Sequence, residues 1–233
     1  MLRGSEPRRV SPPPDAHGTL CCVHDCGVEG LLARWRRVAD DDETGRDLLR
    51  RWSEPHRRYH DVGHLTAVLD AVDELAAEAD DVRAVRLAAW FHDAVYTGRP
   101  GADERDSALL ADSVLHSAGL DDALVAEVVR LVELTAGHDP APGDRNGGVL
   151  CDADLAVLGG DPAEYAGYAA AVRQEYAHVP EKEFRRGRTA VLDRLLARAR
   201  LFSTATARDR WEERARHNLE TELILLRGGA SAS

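Results

Sequence analysis

The chain has 233 residues, of which 44% are hydrophobic and 30% are charged, with a formal net charge of −11. This length is enough for one domain with a sizeable core, whereas the acidic balance argues against nucleic acid or anionic lipid as a partner. No run of about eighteen apolar residues occurs, so we expect no membrane-spanning helix. Aromatic residues are few, and the abundance of Ala, Leu, Arg and Glu favours helices over strands.

The ends of the chain differ in composition from its middle. The N-terminal segment is rich in Pro and Arg and lacks the apolar stretch of a secretory signal, so we expect a cytoplasmic protein with free thiols. Cys21, Cys22 and Cys26 have no second Cys/His pair at zinc-finger spacing, which argues against a structural zinc there. We predict three parts: a disordered tail over residues 1–27, one helical domain over 28–227, and a flexible tail over 228–233.

Between the tails, apolar residues recur with helical periodicity, interrupted by Asp-rich or Pro/Gly-rich breaks. The sequence shows no extended strand alternation, no internal repeat and no glycine-rich phosphate loop. We therefore predict an all-α fold. The predicted helices start near Val28, Arg46, His60, Asp81, Asp103, Asp121, Val149, Pro162, Glu181 and Ala207.

Two short stretches carry polar side chains that need a charged or hydrogen-bonding partner if they are buried. His60 and His64 are four residues apart, so on a helix their imidazoles would lie one turn apart on the same face. His92 and Asp93 end an apolar run, which predicts a buried imidazole beside a buried carboxylate. A divalent metal ion pairs with both groups and offsets their desolvation.

Further polar candidates lie outside these two stretches. Asp152 and Asp154 interrupt the apolar segment 149–158, so at least one of them should meet a cation, although Asp152 could equally be an N-cap. Glu104 lies close in sequence to the proposed site, but it also suits the start of a helix. His138 lies at a helix end, where either a site role or the helix dipole accounts for it.

The order His, His-Asp, Asp on successive helices resembles the HD superfamily of metal-dependent phosphohydrolases, in particular its bacterial branch of predicted phosphohydrolases. The resemblance covers about residues 28–226. It implies an HD-domain helical bundle with additional C-terminal helices. The matching blocks are residues 54–64, residues 89–96, Glu104 with Ser107 and Ala108, and residues 151–159.

The resemblance also implies a ligand set. It assigns the metal to His64, His92, Asp93 and Asp154, and the Ala153-Asp154-Leu155 context favours Asp154 over Asp152 as the last ligand. The ligand types suit Mn, Fe, Co, Ni, Zn or Mg. Only His138 lies where two-metal members of the superfamily add histidines, so we expect a single ion.

The catalytic roles follow from the same resemblance. The Tyr-His-x-x-x-His block is similar to that of cyclic-nucleotide phosphodiesterases, in which the first His protonates the leaving group, a role that His60 would take here. Asp93 and Glu104 are the other predicted catalytic residues. Arg57 or Arg58, one helical turn from the site, could bind phosphate oxygens, and we take Arg57 and His138 as the predicted substrate contacts.

The predicted activity is hydrolysis of a small phosphoester, such as a nucleotide, by metal-activated water. Two alternatives stay open at the level of sequence. One is a di-iron oxygenase, which some HD proteins are, and the other is a non-catalytic, nucleotide-binding regulatory module.

Overall fold

A computed structural model describes residues 20–228, with side chains from residue 27 onward. Within this range the chain forms ten α-helices and two short 3-10 helices and no strand, which confirms the all-α prediction. The 3-10 helices are Ala76–Glu78 and Leu155–Gly159. The α-helices are α1 (Leu20–Trp35), α2 (Asp42–Trp52), α3 (Val62–Leu75), α4 (Val82–Phe91), α5 (Asp103–Ser117), α6 (Asp122–Leu134), α7 (Arg145–Asp154), α8 (Pro162–Glu175), α9 (Glu181–Leu196) and α10 (Ala205–Gly228).

Aspartates fix the starts of six of these helices. Their side chains accept hydrogen bonds from backbone N–H groups of the first turn, and each such cap stabilises a helix by about 1 kcal/mol. The predicted caps before α4 and α6 are confirmed. The six capping residues are Asp41, Asp61, Asp81, Asp121, Asp144 and Asp161.

Asp61 also corrects one prediction. Its carboxylate accepts the N–H groups of Gly63 and His64, so α3 begins at Val62 and His60 lies in the turn before the helix. The prediction that His60 and His64 share one helical face is therefore wrong. Their rings nevertheless lie near each other, with centroids 5.5 Å apart.

Three other helices, α1, α2 and α7, begin at least four residues earlier than the periodicity predicts. Helix α1 starts at Leu20, although the side chains of its three cysteines, like residues 1–19 and 229–233, lie outside the described part of the chain. Helix α7 starts at Arg145, capped by Asp144, and includes two glycines in its first turn. A Cβ at Gly147 would clash with the capping carboxylate of Asp144 and lie 2.6 Å from Leu134 Cδ2 of α6, so both side chains would have to shift to accommodate it.

The centre of the core is α4, which packs against α3, α6 and α7. Trp90 and Phe91 at its end are fully buried, and burial of each such ring contributes roughly 3 kcal/mol. Trp35 packs edge-on against Trp90 with centroids 5.3 Å apart, and Trp52 Nε1 donates to the Trp90 carbonyl at 3.0 Å. These contacts fix the end of α4, and with it the positions of His92 and Asp93.

The last helix closes the C-terminal part of the fold by packing along α9 and the second 3-10 helix. At Gly159 a Cβ would lie 2.9 Å from the Trp211 backbone, so a glycine is required for this approach. None of the helices within residues 20–228 has both the length and the apolar character needed to cross a bilayer.

Candidate metal centre

Three helices bring the four predicted metal ligands together. His64 lies in the first turn of α3, His92 and Asp93 directly follow α4, and Asp154 is the last residue of α7. The Nε2 atom of His64 lies 3.2 Å from His92 Nε2 and 3.1 Å from Asp154 Oδ1. Asp93 Oδ2 lies 3.3 Å from His92 Nε2 and 3.9 Å from His64 Nε2.

These separations suit one shared cation. Around an ion with ligands at ~2.1 Å, neighbouring ligand atoms are about 3.0 Å apart in octahedral and about 3.4 Å apart in tetrahedral geometry. His64, His92 and Asp154 offer ligand atoms that all lie within 4.8 Å of one another. Asp93 adds a fourth ligand atom, a carboxylate oxygen, on the side of His92. The described residues therefore include a group that could hold a metal ion.

The tautomer of His92 supports this interpretation. Its Nδ1 lies 2.9 Å from the Ala89 carbonyl, which can only accept, so Nδ1 carries a proton. In the neutral ring, Nε2 then presents its lone pair to His64 and the two carboxylates. Trp52 packs against the His92 ring with centroids 5.3 Å apart and keeps water from that side. Converging lone pairs in a dry site require a cation.

The protonation equilibria of the four groups respond to the same crowding. Burial lowers the pKa of His64, which favours the neutral, ligating imidazole. Burial alone would do the same to His92, but the charges of Asp93 and Asp154 outweigh it and raise its pKa well above the usual value. Burial would raise the pKa of both carboxyl groups, yet His92 and the other histidines around them together hold these pKa values well below their usual range.

His60 lies at the edge of this centre and is held by Glu175, the last residue of α8. His60 Nδ1 lies 2.7 Å from Glu175 Oε2, and the other carboxylate oxygen accepts the backbone N–H groups of residues 58, 59 and 60 at 2.8–2.9 Å. Tyr96 stacks on the His60 ring at 4.4 Å and donates its hydroxyl to Glu175 at 3.0 Å.

The contact between His60 and Glu175 shifts both pKa values. Burial would lower the pKa of His60, but the hydrogen bond to Glu175 and the charges of the surrounding carboxylates together outweigh burial and raise the pKa. Burial would raise the pKa of Glu175, but the hydrogen bond from His60 and those from the backbone lower it to about 2. The imidazole is thus held in one orientation and biased toward its protonated form.

Arg57 occupies a different place from the one predicted. Its guanidinium is fully buried and donates to the backbone carbonyls of His60 and Asp93, each at 2.9 Å. It also packs over the rings of Trp52 and Tyr96, each at 5.3 Å. The prediction that Arg57 contacts substrate is therefore corrected, because its donors tie the His60 turn to the end of α4.

His138 and Glu104 lie beside the centre. His138 Nε2 is 2.6 Å from Asp154 Oδ2, the carboxylate oxygen turned away from His64, and its backbone has a φ of 48°. Glu104 accepts the N–H of Gly101 at 2.5 Å. Both residues, with His60 and Asp154, line a cavity of about 340 Å³ that opens from the site.

Asp152, the alternative to Asp154, faces away from the centre. It is buried, and its carboxylate accepts the backbone N–H groups of Ser203 and Thr204 at 2.7–3.0 Å. It therefore anchors the segment before α10.

Glu175 is the site residue that sequence analysis misses. It is 115 positions from His60 and is the last residue of an ordinary polar helix end, so no local pattern marks it.

Comparisons of the chain with protein-family models, with curated proteins and with solved structures give no match. The likeness to the HD superfamily thus stays a prediction carried by the motif residues.

Proposed function

We propose that the protein is a metal-dependent phosphohydrolase that acts on a small phosphoester. The observation that carries the proposal is the convergence of His64, His92, Asp93 and Asp154 on one point, with a fifth side chain, His60, oriented beside it. A purely structural ion site has no need of an oriented, partly exposed histidine next to its ligands.

The donor set fits a divalent ion of the borderline class. Two imidazole nitrogens and two carboxylate oxygens without thiolate suit Mn, Fe, Co, Ni or Zn, and Mg less well because Mg prefers oxygen alone. When bound, the ion supplies positive charge that polarises a phosphoryl oxygen and lowers the pKa of a water. His138 holds the outer oxygen of Asp154 and so orients that carboxylate toward the ion.

His60 supplies the proton that the leaving group needs. Its Nδ1 is committed to Glu175, which leaves Nε2 to donate to the leaving oxygen. Water oxygen bonds to phosphorus, the P–O bond to the leaving group breaks, and that oxygen takes the His60 proton. The proton that the water releases goes to solvent, from which His60 is later reprotonated, so hydrolysis consumes only water.

The proposal is tested by elemental analysis of protein purified without chelator, followed by a phosphate-release screen with Mn, Co, Ni, Mg and Zn. We expect about one ion per chain and turnover of at least one phosphoester. The His60→Ala variant should keep its metal and lose most turnover, about 100-fold or more. Two irons per chain with an oxygen-dependent spectrum would contradict the proposal, as would a metal-free protein without hydrolytic activity.

A further inference from the structure

A second groove begins at His60 and runs between α8 and α9. It has a volume of about 420 Å³, and Pro100 borders it beside His60. Two charged residues border it. Arg188 is neutralised by Glu222 at 2.8 Å and donates to the Tyr168 hydroxyl at 3.0 Å, whereas Glu183 is an exposed carboxylate at the solvent side of α9. The remaining surface is mainly apolar. Its apolar and aromatic lining comprises Tyr168, Val172, Tyr176, Val179, Phe184 and Val191.

The tyrosines of this chain are concentrated here. Only 5% of the chain is aromatic, with five tyrosines in all, yet every tyrosine lies around His60 or this groove. Tyr59 and Tyr96 contact the His60 ring at 4.8 and 4.4 Å, and Tyr168 and Tyr176 line the groove. Tyr165 lies behind Tyr168 at 5.5 Å.

The rings in the groove are not core residues. Tyr168, Tyr176 and Phe184 are each half-buried, unlike the fully buried Trp90 and Phe91 of the core. Their exposed faces are therefore available to a ligand. Aromatic side chains bind flat rings by stacking and edge-to-face contacts, with little loss of conformational freedom.

The position of the groove relative to the ligands decides which part of a substrate would enter it. None of the four metal ligands lines the groove, whereas His60 belongs both to the groove and to the cavity at the metal centre. For a phosphoryl group bound at the four ligands, His60 therefore lies between the phosphorus and the groove. Because His60 protonates the leaving oxygen, the group attached to that oxygen is the part that extends into the groove.

We infer that the substrate is a phosphoester of an alcohol bearing an aromatic ring, and that the ring binds against Tyr168, Tyr176 and Phe184. This inference rests on the proposed hydrolase function and narrows its substrate class. A groove of this volume lies within the range that ordinary small-molecule sites occupy.

The test compares the binding of two non-hydrolysable probes, 2-phenylethylphosphonate and propylphosphonate, to the Mn²⁺-loaded full-length protein by isothermal titration calorimetry. Burial of the ring should make the phenyl compound bind about tenfold more tightly. In the Phe184→Leu and Phe184→Ala variants this preference should fall to about threefold or less. The control Ile224→Ala, at an exposed apolar residue of α10, should keep it.

Two results would overturn the inference, and they differ in what they say about the hydrolase. Equal affinity for the two phosphonates, with hydrolysis of simple alkyl phosphates intact, would contradict an aromatic ring in the substrate. The proposed hydrolase function would still be supported. Failure of both phosphonates to bind, together with no phosphate release from any ester, would contradict both the proposed function and this inference.

Discussion

The Nε2 atoms of His64 and His92 lie 3.2 Å apart and point at the same two carboxylates. His92 can present only a lone pair there when it is neutral, since its Nδ1 proton is held by the Ala89 carbonyl. The pair is therefore stable only with positive charge between the rings and the carboxylates. A proton on His92 is one source of that charge, and a divalent ion is the stronger one.

Removing a ligand should remove the ion. We expect His64→Ala to lower bound metal at least tenfold, measured by elemental analysis after dialysis. In the wild type, a metal ion whose free concentration is about a hundred times its Kd adds about 2.7 kcal/mol to the free energy of unfolding. Removing the ion with a chelator should therefore lower the Tm by roughly 5–10 °C.

The control for this prediction is His116→Ala, at an exposed histidine of α5. It should match the wild type in metal content and in its response to chelator. A wild-type Tm that is unchanged by chelator, with no metal in the purified protein, would contradict the prediction.

Arg57 should matter for stability rather than for substrate affinity. In Arg57→Met, the carbonyls of His60 and Asp93 lose a buried charged donor, which should lower the free energy of unfolding by about 2–4 kcal/mol. Urea unfolding measures this change. Arg58→Met, at the exposed neighbouring arginine, should stay within about 0.5 kcal/mol of the wild type. A higher KM with unchanged stability would instead restore the role of a phosphate contact.

The candidate ligands lie in short motifs with their own local signals, although the choice of Asp154 over Asp152 came from the family resemblance. His92 and Asp93 end an apolar helix, and Asp154 interrupts another, so burial of their charge follows from the sequence nearby. Helix starts were predictable where an aspartate caps the first turn, as Asp81 and Asp121 do.

The misses have physical reasons that local patterns do not carry. Asp61 is the N-cap of α3, because its side chain accepts the N–H groups of the first turn. The helix therefore begins after Asp61, and His60 lies outside it. The partner of His60 is a carboxylate 115 positions away that only tertiary packing brings near. Arg57 has the sequence context of an exposed arginine, and only the folded core shows that its guanidinium is buried.

His138 should support the metal through Asp154. Its Nε2 contacts the outer oxygen of that carboxylate at 2.6 Å, so removal of the imidazole should weaken metal affinity by about 10- to 100-fold. Two variants separate this effect from that of the backbone, since His138 has a φ of 48° that glycine adopts without strain. His138→Ala and His138→Gly should lose affinity equally, while the glycine variant should be about 1 kcal/mol more stable than the alanine variant because it relieves the left-handed backbone strain that His and Ala share. Unchanged metal affinity in both would contradict the role.

Glu175 should set the alkaline limit of the activity. The general acid works only when His60 is protonated, so turnover falls as pH rises through the pKa of His60, which the Glu175 carboxylate raises. The Glu175→Gln side chain can still accept the backbone N–H groups but carries no charge, so the pKa of His60 should fall and the alkaline limb of kcat should move to lower pH. At pH 8 we expect a loss of about tenfold or more, with most of the activity recovered at pH 6. The control Glu213→Gln, at an exposed residue of α10, should keep the wild-type profile. A uniform loss at every pH would mean that Glu175 only holds the fold, because a purely structural role has no reason to move the limb.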